Sequence, residues 1–272
     1  MAMRQSVKKT RKDQIRPVAG SAHAQGGVST IEPRRINRIL SLAGVSSRRN
    51  ADDLIKSGRI TVNGHILAEA GARAIWGADS IKVDGKEIPG PEPRIYLMLN
   101  KPFGYVCTLK DPEGRRLVTE LLEGITQRLY PAGRLDFDSL GLLLFTNDGE
   151  LAYRLTHPKY QVPRTYKVTV SGTITDQAIK RLRKGVRLSD GPSGESKATV
   201  LKLDNETSTI RMTITQGRSR QVRRMMEAVG YSVVQLKRTG FGTLMLGDLK
   251  IGKYRPLENK EIKSLKRMVG LI

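Results

Sequence analysis

The sequence has few of the side chains that build metal or disulfide sites. Cys107 is the only cysteine in 272 residues, so no disulfide can form within the chain, which indicates a reducing compartment. Its three histidines have no metal-ligand spacing, and they are His23, His65 and His157. Aromatic residues make up only 5% of the chain. We therefore expect no structural zinc site and no metal in an active site.

Long hydrophobic runs are also lacking. The longest clear one, 140–145, is far shorter than the roughly 18 residues of a membrane span. The basic residues near the N-terminus are not followed by an apolar stretch, as a signal peptide would require. Together with the single cysteine, these features predict a cytoplasmic protein.

The glycine-rich and serine motifs of common enzyme sites do not occur either. Gly240-Phe-Gly242 lies in neither a phosphate-binding loop nor a dinucleotide fingerprint, and no Gly-x-Ser-x-Gly elbow is present. Any chemistry must therefore use carboxylates, arginines and aromatics, without a bound nucleotide. We expect no cofactor.

Acidic residues are scarce relative to basic ones. The chain has 48 Lys+Arg against 26 Asp+Glu, which gives a formal net charge of +22 and a pI of about 10.4. Such a field disfavours the compact state by self-repulsion and is most simply explained by a polyanionic partner, of which nucleic acid is the commonest. Most of the excess lies after residue 94, so the N-terminal segment alone does not account for it.

The composition along the chain predicts three parts. Residues 1–31 lack apolar periodicity and read as a disordered basic tail that adds non-specific attraction to RNA. Residues 32–92 form a small domain, and residues 93–272 form a large one. The boundary is marked by Pro89, Pro91 and Pro93, which break both helix and strand patterns.

The small domain reads as two helices followed by strands. Apolar residues from Ile36 to Ala43 follow helical spacing, and Ser46 or Ser47 caps a second helix that stops at Gly58. A strand, an Asn63-Gly64 turn and another strand follow, and 80–88 forms a last strand. By default the basic residues on this domain are a solvated face; they are Arg38, Arg48, Arg49, Lys56 and Arg59.

The order of these elements resembles the RNA-binding module of ribosomal protein S-four-type proteins. The match is carried by the run Arg35-Ile-Asn-Arg-Ile-Leu, then Gly44-Val-Ser-Ser-Arg-Arg, and Gly58-Arg-Ile-Thr-Val-Asn-Gly. In that family the paired helices and the hairpin contact structured RNA. The resemblance therefore implies that the five basic residues bind RNA.

The large domain alternates strands and helices without an internal repeat, which predicts an α+β fold. Strands are predicted at 94–100, 141–146, around Tyr166 to Val170, and around Ile210 to Ile214. Helices are predicted after a cap at Asn147 or Asp148, from Thr175 to Leu182, and from about Arg220 to Val229.

Three segments of this domain could carry chemistry. Asp136 lies in a glycine-flanked loop that runs into a buried strand, although Asp136 and Asp138 could simply be turn residues. Tyr166 lies on an alternating strand, where a tyrosine is usually part of the core. The run 217–224 has four arginines, which by default form a solvated helix face with a weak Arg223–Glu227 pair.

Taken together, these segments resemble the pseudouridine synthases that modify ribosomal RNA. The motifs are Asn100-Lys-Pro-Phe-Gly104-Tyr, Ala132-Gly-Arg-Leu-Asp136, Gly141-Leu-Leu-Leu-Phe-Thr-Asn-Asp-Gly-Glu-Leu, Arg164-Thr-Tyr166 and Gly217-Arg-x-Arg-Gln-Val-Arg223-Arg-Met. They cover residues 33–272 in the family's order and spacing. Within the family the large-subunit type B branch is the closest likeness, and the small-subunit type is its near relative.

The resemblance implies a role for each residue. Asp136 becomes the essential carboxylate at the C1′–N1 bond of a flipped uridine, Tyr166 packs against the base, and Arg223 pairs with the carboxylate. Arg134 fills the gap that the flipped nucleotide leaves. The remaining basic residues would bind RNA, and they are Lys101, Arg218, Arg220 and Arg224. The large domain is then a mixed, mostly antiparallel sheet with flanking helices.

The residues leave several alternatives open. The target lies in large-subunit ribosomal RNA or, alternatively, in small-subunit ribosomal RNA, and naked RNA or an assembly intermediate is recognised. Asp136 adds covalently to the sugar, or it stabilises the transition state and then takes a proton. A non-catalytic RNA-binding assembly factor is the alternative from another class. The chain has no heptad seam and is expected to be a monomer.

Overall fold

The computed structural model describes residues 32–69, 71–90, 92–109 and 111–272. The predicted tail, residues 1–31, lies outside them. The described residues form a small N-terminal unit and a large C-terminal unit, and both combine helices with antiparallel strands. The α+β prediction is therefore confirmed. In this described part of the chain, no helix is both long and apolar enough to cross a membrane.

The small unit contains the two predicted helices, which follow a short strand at Arg34–Arg35. Ser47 is the residue that caps the second helix, because its Oγ accepts a hydrogen bond from the backbone N–H of Asn50 at 3.1 Å. A core of isoleucine, leucine and alanine side chains with Trp76 fills the space between the helices and the strands. The elements are α1 (Ile36–Leu42), α2 (Arg48–Lys56), β1 (Arg34–Arg35), β2 (Ile60–Val62), β3 (His65–Ile66), β4 (Arg73–Ala74), β5 (Ile81–Val83) and β6 (Lys86–Glu87).

The prediction of one strand over 80–88 is wrong, because this segment is a hairpin of β5 and β6. Asp84 and Gly85 form its turn with φ values of +51° and +76°, close to the +51° and +83° of Asn63 and Gly64 in the β2–β3 turn. Two consecutive positive φ values are what a two-residue hairpin turn requires, and Asp-Gly supplies them as Asn-Gly does.

The large unit is built on one sheet with helices on both faces. Its helices are α3 (Gly149–Thr156), α4 (Asp176–Lys184), α5 (Gln221–Ala228) and α6 (Asn259–Met268). Its strands are β7 (Tyr96–Lys101), β8 (Tyr130–Pro131), β9 (Leu140–Thr146), β10 (Arg164–Ser171), β11 (Arg187–Leu188), β12 (Gly191–Pro192), β13 (Lys197–Leu203), β14 (Thr207–Ile214), β15 (Val233–Phe241), β16 (Leu244–Met245) and β17 (Tyr254–Pro256).

The main sheet runs in the order β13-β14-β10-β15-β9-β7-β17, with β16 beside β15 and β8 beside β9. All of its pairings are antiparallel except that of β9 with β15. The predicted mixed, mostly antiparallel sheet is thus confirmed. The parallel pair joins the strand that follows Asp136 to a strand from the C-terminal part of the chain.

Alternating side chains of the central strands enter two separate cores. Leu97 and Leu99 of β7 pack on one face with residues of α4 and α5, whereas Tyr96 and Met98 pack on the other with residues of α3 and α6. A sheet covered on both faces needs strands that are apolar throughout, and every residue of β7 is buried. This explains the unbroken apolar runs of β7 and β9.

The helix after β9 is capped by Asp148 and not by Asn147. The Asp148 carboxylate accepts a hydrogen bond from the N–H of Leu151 at 3.2 Å and one from the Tyr96 hydroxyl at 2.9 Å, and Arg94 lies 2.7 Å from it. Burial and the nearby Asp148 charge raise the pKa of Tyr96 well above its usual value. Asp148 is therefore fully used by the fold, and the expectation that it is a helix cap is confirmed.

Gly141 allows β9 and β15 to approach each other. Its φ is +105°, and a Cβ atom at this position would lie 2.2 Å from the backbone oxygen of Arg238. No side chain can be accommodated there without moving one of the two strands.

We expect Gly141→Ala to lower the free energy of unfolding by more than about 4 kcal/mol, because it combines a disfavoured φ with a clash between backbones. Gly172→Ala is the matched control: its φ is also positive, at +76°, but a Cβ there meets nothing within 4 Å. That variant should lose only about 1–2 kcal/mol. Urea unfolding measures both, and equal losses would contradict the clash.

Candidate active site

The loop 132–139 between β8 and β9 carries Asp136. The backbone N–H of Ser139 donates to the carbonyl oxygen of Asp136 at 3.1 Å, which closes a turn, and Gly133 enters the loop with a φ of +85°. The Asp136 side chain is half-buried and lines a pocket of about 220 Å³. This volume lies below the roughly 300–1,000 Å³ of pockets for drug-sized ligands, so a group as small as one nucleoside suits it.

The pocket is rich in arginine. Among the described residues that line it, Asp136 is the only acid, and it faces a set of five arginines. These come from the Asp136 loop, from β10 and β15, and from the segment before α5; they are Arg134, Arg164, Arg218, Arg220 and Arg238. A pocket with this charge balance favours an anionic ligand such as a nucleotide of RNA.

Tyr166 belongs both to the core and to the pocket. Its side chain is 8% exposed, packs with the core on the α4–α5 face, and lines the pocket. The register of β10 against β15 shifts between Thr165 and Tyr166, so that Tyr166 lies opposite Arg238. A bulge of this kind re-aims side chains beside functional sites. The two readings of Tyr166 in the sequence therefore do not exclude each other.

The expected contact between Arg223 and Asp136 is replaced by one with Asp138. Arg223 Nη2 donates to the Asp138 backbone oxygen at 2.9 Å and lies 3.3 Å from the Asp138 carboxylate, while Nη1 donates to the Val233 oxygen at 3.2 Å. Its side chain is 8% exposed, so it does not share the polar face of α5. The helix turns Arg223 inward, which also removes the Arg223–Glu227 pair considered from the sequence.

Asp138 is held by two cations. Arg220, which precedes α5 with a left-handed φ of +48°, donates to the Asp138 carboxylate at 3.0 Å. Burial alone would raise the pKa of Asp138, but the hydrogen bond from Arg220 and the charges of Arg223 and Arg220 outweigh it and hold the pKa below its usual value. The loop that carries Asp136 is thereby attached to the start of α5.

The prediction that Lys101 binds RNA is wrong. Lys101 is fully buried at the end of β7, so it cannot reach a phosphate. Its Nζ donates to the carbonyl oxygens of Ser139 at 2.8 Å, Pro102 at 3.0 Å and Phe137 at 3.5 Å. Burial lowers the pKa of Lys101, and the charges of Asp136 and Asp138 oppose this effect. Lys101 thus stabilises the Asp136 loop by donating hydrogen bonds to its backbone.

Five other predicted RNA-binding residues form ion pairs within the chain. Arg218 and Arg224 lie 2.9 and 2.8 Å from the carboxylate of Asp190, and Arg218 also donates to the Pro192 oxygen. Arg220 pairs with Asp138, as described above. In the small unit Arg38 pairs with Glu150 of α3, and Arg59 pairs with Asp84.

Four of the predicted RNA-binding residues are exposed and enter none of the ion pairs formed by the described residues. They are Arg134 at the pocket and Arg48, Arg49 and Lys56 on α2. An exposed cation without an internal counter-ion is free to approach a phosphate.

Two buried arginines of the pocket were missed as site residues in the sequence. Arg164 donates to the carbonyl oxygens of Val162 and Thr215 through Nη1, and to those of Leu155 and Thr156 through Nη2. Arg238 Nε donates to the Leu142 oxygen at 2.8 Å, whereas its Nη2 is buried without a hydrogen-bond partner. Both guanidinium groups contact the ring of Phe241, at 5.6 and 4.8 Å from its centroid.

A signal for these two arginines does exist in the sequence. Each occupies an inward position of an alternating strand: Arg164 precedes Tyr166 and Val168 by even steps, and Arg238 follows Leu236 in the same way. A charge at such a position must be satisfied by buried partners, which makes it a candidate for a site or a structural network.

Comparison with known proteins identifies the family. Residues 95–228 match the model of the RNA pseudouridylate synthase family, and residues 34–73 match the S4 domain. The ribosomal large subunit pseudouridine synthase B of Bacillus subtilis (strain 168) is 43% identical over 236 residues, which cover 86% of this chain and 96% of that protein. The chain belongs to the RNA pseudouridine synthase family.

Other relatives give the same assignment for this synthase. A protein named as an uncharacterized RNA pseudouridine synthase of Aquifex aeolicus (strain VF5) is 39% identical over 87% of this chain and 95% of its own length. A crystal structure titled pseudouridylate synthase superposes with a TM-score of 0.63 at 31% identity, covering 85% of this chain and 99% of that one. The resemblances stated for the S4-like module and the large domain are confirmed.

The match to the synthase family contains Asp136, Tyr166 and Arg223 but ends before β15. Arg238 and Phe241, which complete the pocket of this synthase, lie beyond it.

Over the residues that the structure describes, no three His, Cys, Asp or Glu side chains gather as metal ligands would.

The ion pairs of Asp138 predict a pH-dependent loss of stability in Asp138→Asn. At pH 7 the variant should lose about 1–2 kcal/mol of unfolding free energy: Arg223 keeps its carbonyl acceptors but loses its counter-ion, and 29% exposure of the Asp138 side chain screens part of the charge. Asp204→Asn is the control, because its pair with Lys202 is exposed and contributes little.

The sign of the pH effect follows from the lowered pKa of Asp138. A carboxylate of this kind stabilises the folded state above its unfolded pKa of about 3.9, and this contribution is lost as the pH falls through the folded value. Urea unfolding from pH 7 down to pH 3 should therefore show the unfolding free energies of the wild type and of Asp138→Asn converging below about pH 4. A constant difference would contradict an electrostatic origin.

Proposed function

We propose that this synthase isomerises one specific uridine of ribosomal RNA to pseudouridine, with Asp136 as the catalytic carboxylate. The observation that carries the proposal is the single acid at a small pocket lined by five arginines and by Tyr166. The product is an isomer of the substrate, so no oxidant, reductant or donor group is required.

The reaction breaks the C1′–N1 bond of the uridine, turns the uracil, and joins C5 to C1′, after which C5 loses its proton and N1 gains one. Asp136 either bonds to the sugar or stabilises its positive charge and then accepts the proton, and both roles require an ionised carboxylate.

The uridine must leave its stack to reach Asp136, because the carboxylate lies at a pocket and not on a flat surface. Tyr166 offers a ring on which uracil can stack, a contact worth about 1–3 kcal/mol. Arg134 is exposed beside Asp136 and fits the space that the flipped nucleotide leaves in the RNA.

We assign Arg223 an indirect role. Its guanidinium holds the Asp136 loop through the backbone and carboxylate of Asp138, and Lys101 holds the same loop through Ser139. A loop fixed at both points keeps the reactive oxygen in place without a cost of reorganisation during the reaction.

Large-subunit ribosomal RNA is the target that the comparisons support. The Bacillus subtilis relative named for the large ribosomal subunit is 43% identical over nearly its whole length. We therefore place the uridine in 23S RNA and expect the enzyme to act as a monomer, with a small-subunit site as the alternative outcome.

The decisive variant is Asp136→Asn, which keeps the shape of the side chain and removes its charge. Cells that lack the native protein should regain one pseudouridine in 23S RNA when they express the wild type or Asp204→Asn, and none when they express Asp136→Asn. In vitro the variant should lose at least about 10³-fold in rate, or about 4 kcal/mol of transition-state stabilisation, while RNA binding persists.

Three outcomes would contradict parts of this proposal. Full modification by Asp136→Asn would remove its catalytic role, and a restored site in 16S RNA would move the target. Absence of any restored pseudouridine with the wild type, together with retained RNA binding, would favour a non-catalytic assembly factor.

The small unit is proposed to bind structured RNA through α2. Arg48, Arg49 and Lys56 are exposed there and form no ion pair with another described residue, in contrast to Arg38 and Arg59. Each phosphate that a cation neutralises releases counter-ions, so binding weakens as salt increases.

Replacing Arg48, Arg49 and Lys56 together with alanine should make the negative slope of log K against log salt shallower, by about two to three. A matched control replaces three other exposed cations that enter no ion pair formed by the described residues, Lys180 and Lys184 of α4 and Lys263 of α6, and should leave the slope nearly unchanged. Filter binding to 23S RNA at several salt concentrations measures both. Equal effects of the two triple variants would indicate a purely non-specific field.

A further inference from the structure

Two of the four phenylalanines are exposed side by side next to the proposed catalytic residue. Phe145 and Phe241 are buried, at 0% and 1% exposure, whereas Phe103 and Phe137 are 59% and 43% exposed. The rings of the exposed pair lie 5.6 Å apart at an interplanar angle of 60°, which is an edge-to-face contact. Phe137 is bonded directly to Asp136 in the chain.

The exposed pair belongs to two loops that are tied together. The N–H of Gly104 donates to the Phe137 oxygen at 3.0 Å, and the N–H of Leu135 donates to Cys107 Sγ at 3.4 Å. Lys101, just before Phe103, donates to the Ser139 oxygen at 2.8 Å. The two rings are therefore presented on a fixed backbone and lose little conformational freedom when a ligand binds.

The charges around the pair indicate what covers it. Arg134 is exposed two residues before Asp136, and Arg220 contacts Asp138, which directly follows Phe137. Aromatic faces bordered by arginines are the surface that single-stranded nucleic acid uses, because bases stack on the rings while phosphates meet the cations. An apolar protein partner would offer the exposed Arg134 no counter-ion.

We propose that Phe103 and Phe137 form a stacking platform for an unpaired nucleobase of the RNA, next to the uridine that enters the pocket. When the target base leaves its stack, its neighbour loses a stacking partner, and the exposed rings replace it. The platform lowers the cost of extruding the target and sets a preference for unpaired RNA at that position. The inference rests on the proposed function for the identity of the site.

The test compares the ring with an apolar side chain that lacks a π face. In an Asp136→Asn background, which separates binding from catalysis, Phe103→Leu with Phe137→Leu should weaken binding to a single-stranded oligonucleotide that contains 2-aminopurine by about 5- to 150-fold. Quenching of the 2-aminopurine fluorescence, which reports stacking, should fall in parallel. Phe137→Trp should retain both affinity and quenching.

The salt dependence separates this platform from the phosphate contacts. The double leucine variant should lower the affinity at every salt concentration and leave the slope of log K against log salt unchanged, since no cation is removed. Val234→Ala, which trims a side chain that is 63% exposed elsewhere on the sheet, is the control and should behave as the parent. Matching melting curves confirm that the variants are folded.

The inference is overturned if the leucine variant binds and quenches like its parent. It is also overturned if sedimentation shows a wild-type dimer that the leucine variant dissociates, because the pair would then be a protein interface. Both measurements use no catalytic readout. An active Asp136→Asn enzyme would thus overturn the proposed function without deciding the platform.

Discussion

The parallel contact between β9 and β15 at Gly141 brings together parts of the chain that are far apart in sequence. Arg238 Nε reaches the Leu142 oxygen across a separation of 96 residues, and the backbones lie so close that no Cβ fits between them. The strand that ends the Asp136 loop is thereby placed beside the strand that pairs with β10 and Tyr166. Without this approach the carboxylate, the tyrosine and Arg238 would not face one pocket.

The cations in the pocket and next to the Asp136 loop differ in the groups that accept their hydrogen bonds, and this difference sets their roles. Arg164 and Lys101 each donate to several backbone carbonyls, so they act as buried supports for the segments that they join. Arg220 and Arg223 converge on Asp138 and attach the Asp136 loop to α5. The exposed Arg134 enters no ion pair formed by the described residues, so it is open to a ligand. The available hydrogen-bond acceptors thus decide which of these cations stabilise the fold and which remain open to a ligand.

In the proposed function, the site recognises RNA in two ways that depend on different physics. Cations on α2 and at the pocket rim attract phosphates, an attraction that salt screens. Tyr166 inside the pocket and the exposed Phe103–Phe137 pair outside it offer rings for stacking, which salt changes little. The buried cations that hold the Asp136 loop keep Asp136 in a fixed position relative to both kinds of contact. A variant can therefore change the affinity for RNA without changing the position of the target base, or change that position without changing the affinity.

The sequence by itself determined the elements and the chemical inventory. Local periodicity and capping predicted α1, α2, the Asn63-Gly64 turn and the inward face of β10, because these depend on neighbours within a few residues. Asp136 was singled out by the resemblance that the motifs carry, since its local sequence also fits a turn residue. Only the tertiary structure decided the partners: Arg223 meets Asp138 and not Asp136, Lys101 is buried, and Arg238 enters the pocket. An arginine on a predicted helix has the same local pattern whether it faces water or another loop. Long-range packing decides which, through the burial and the acceptors that it provides.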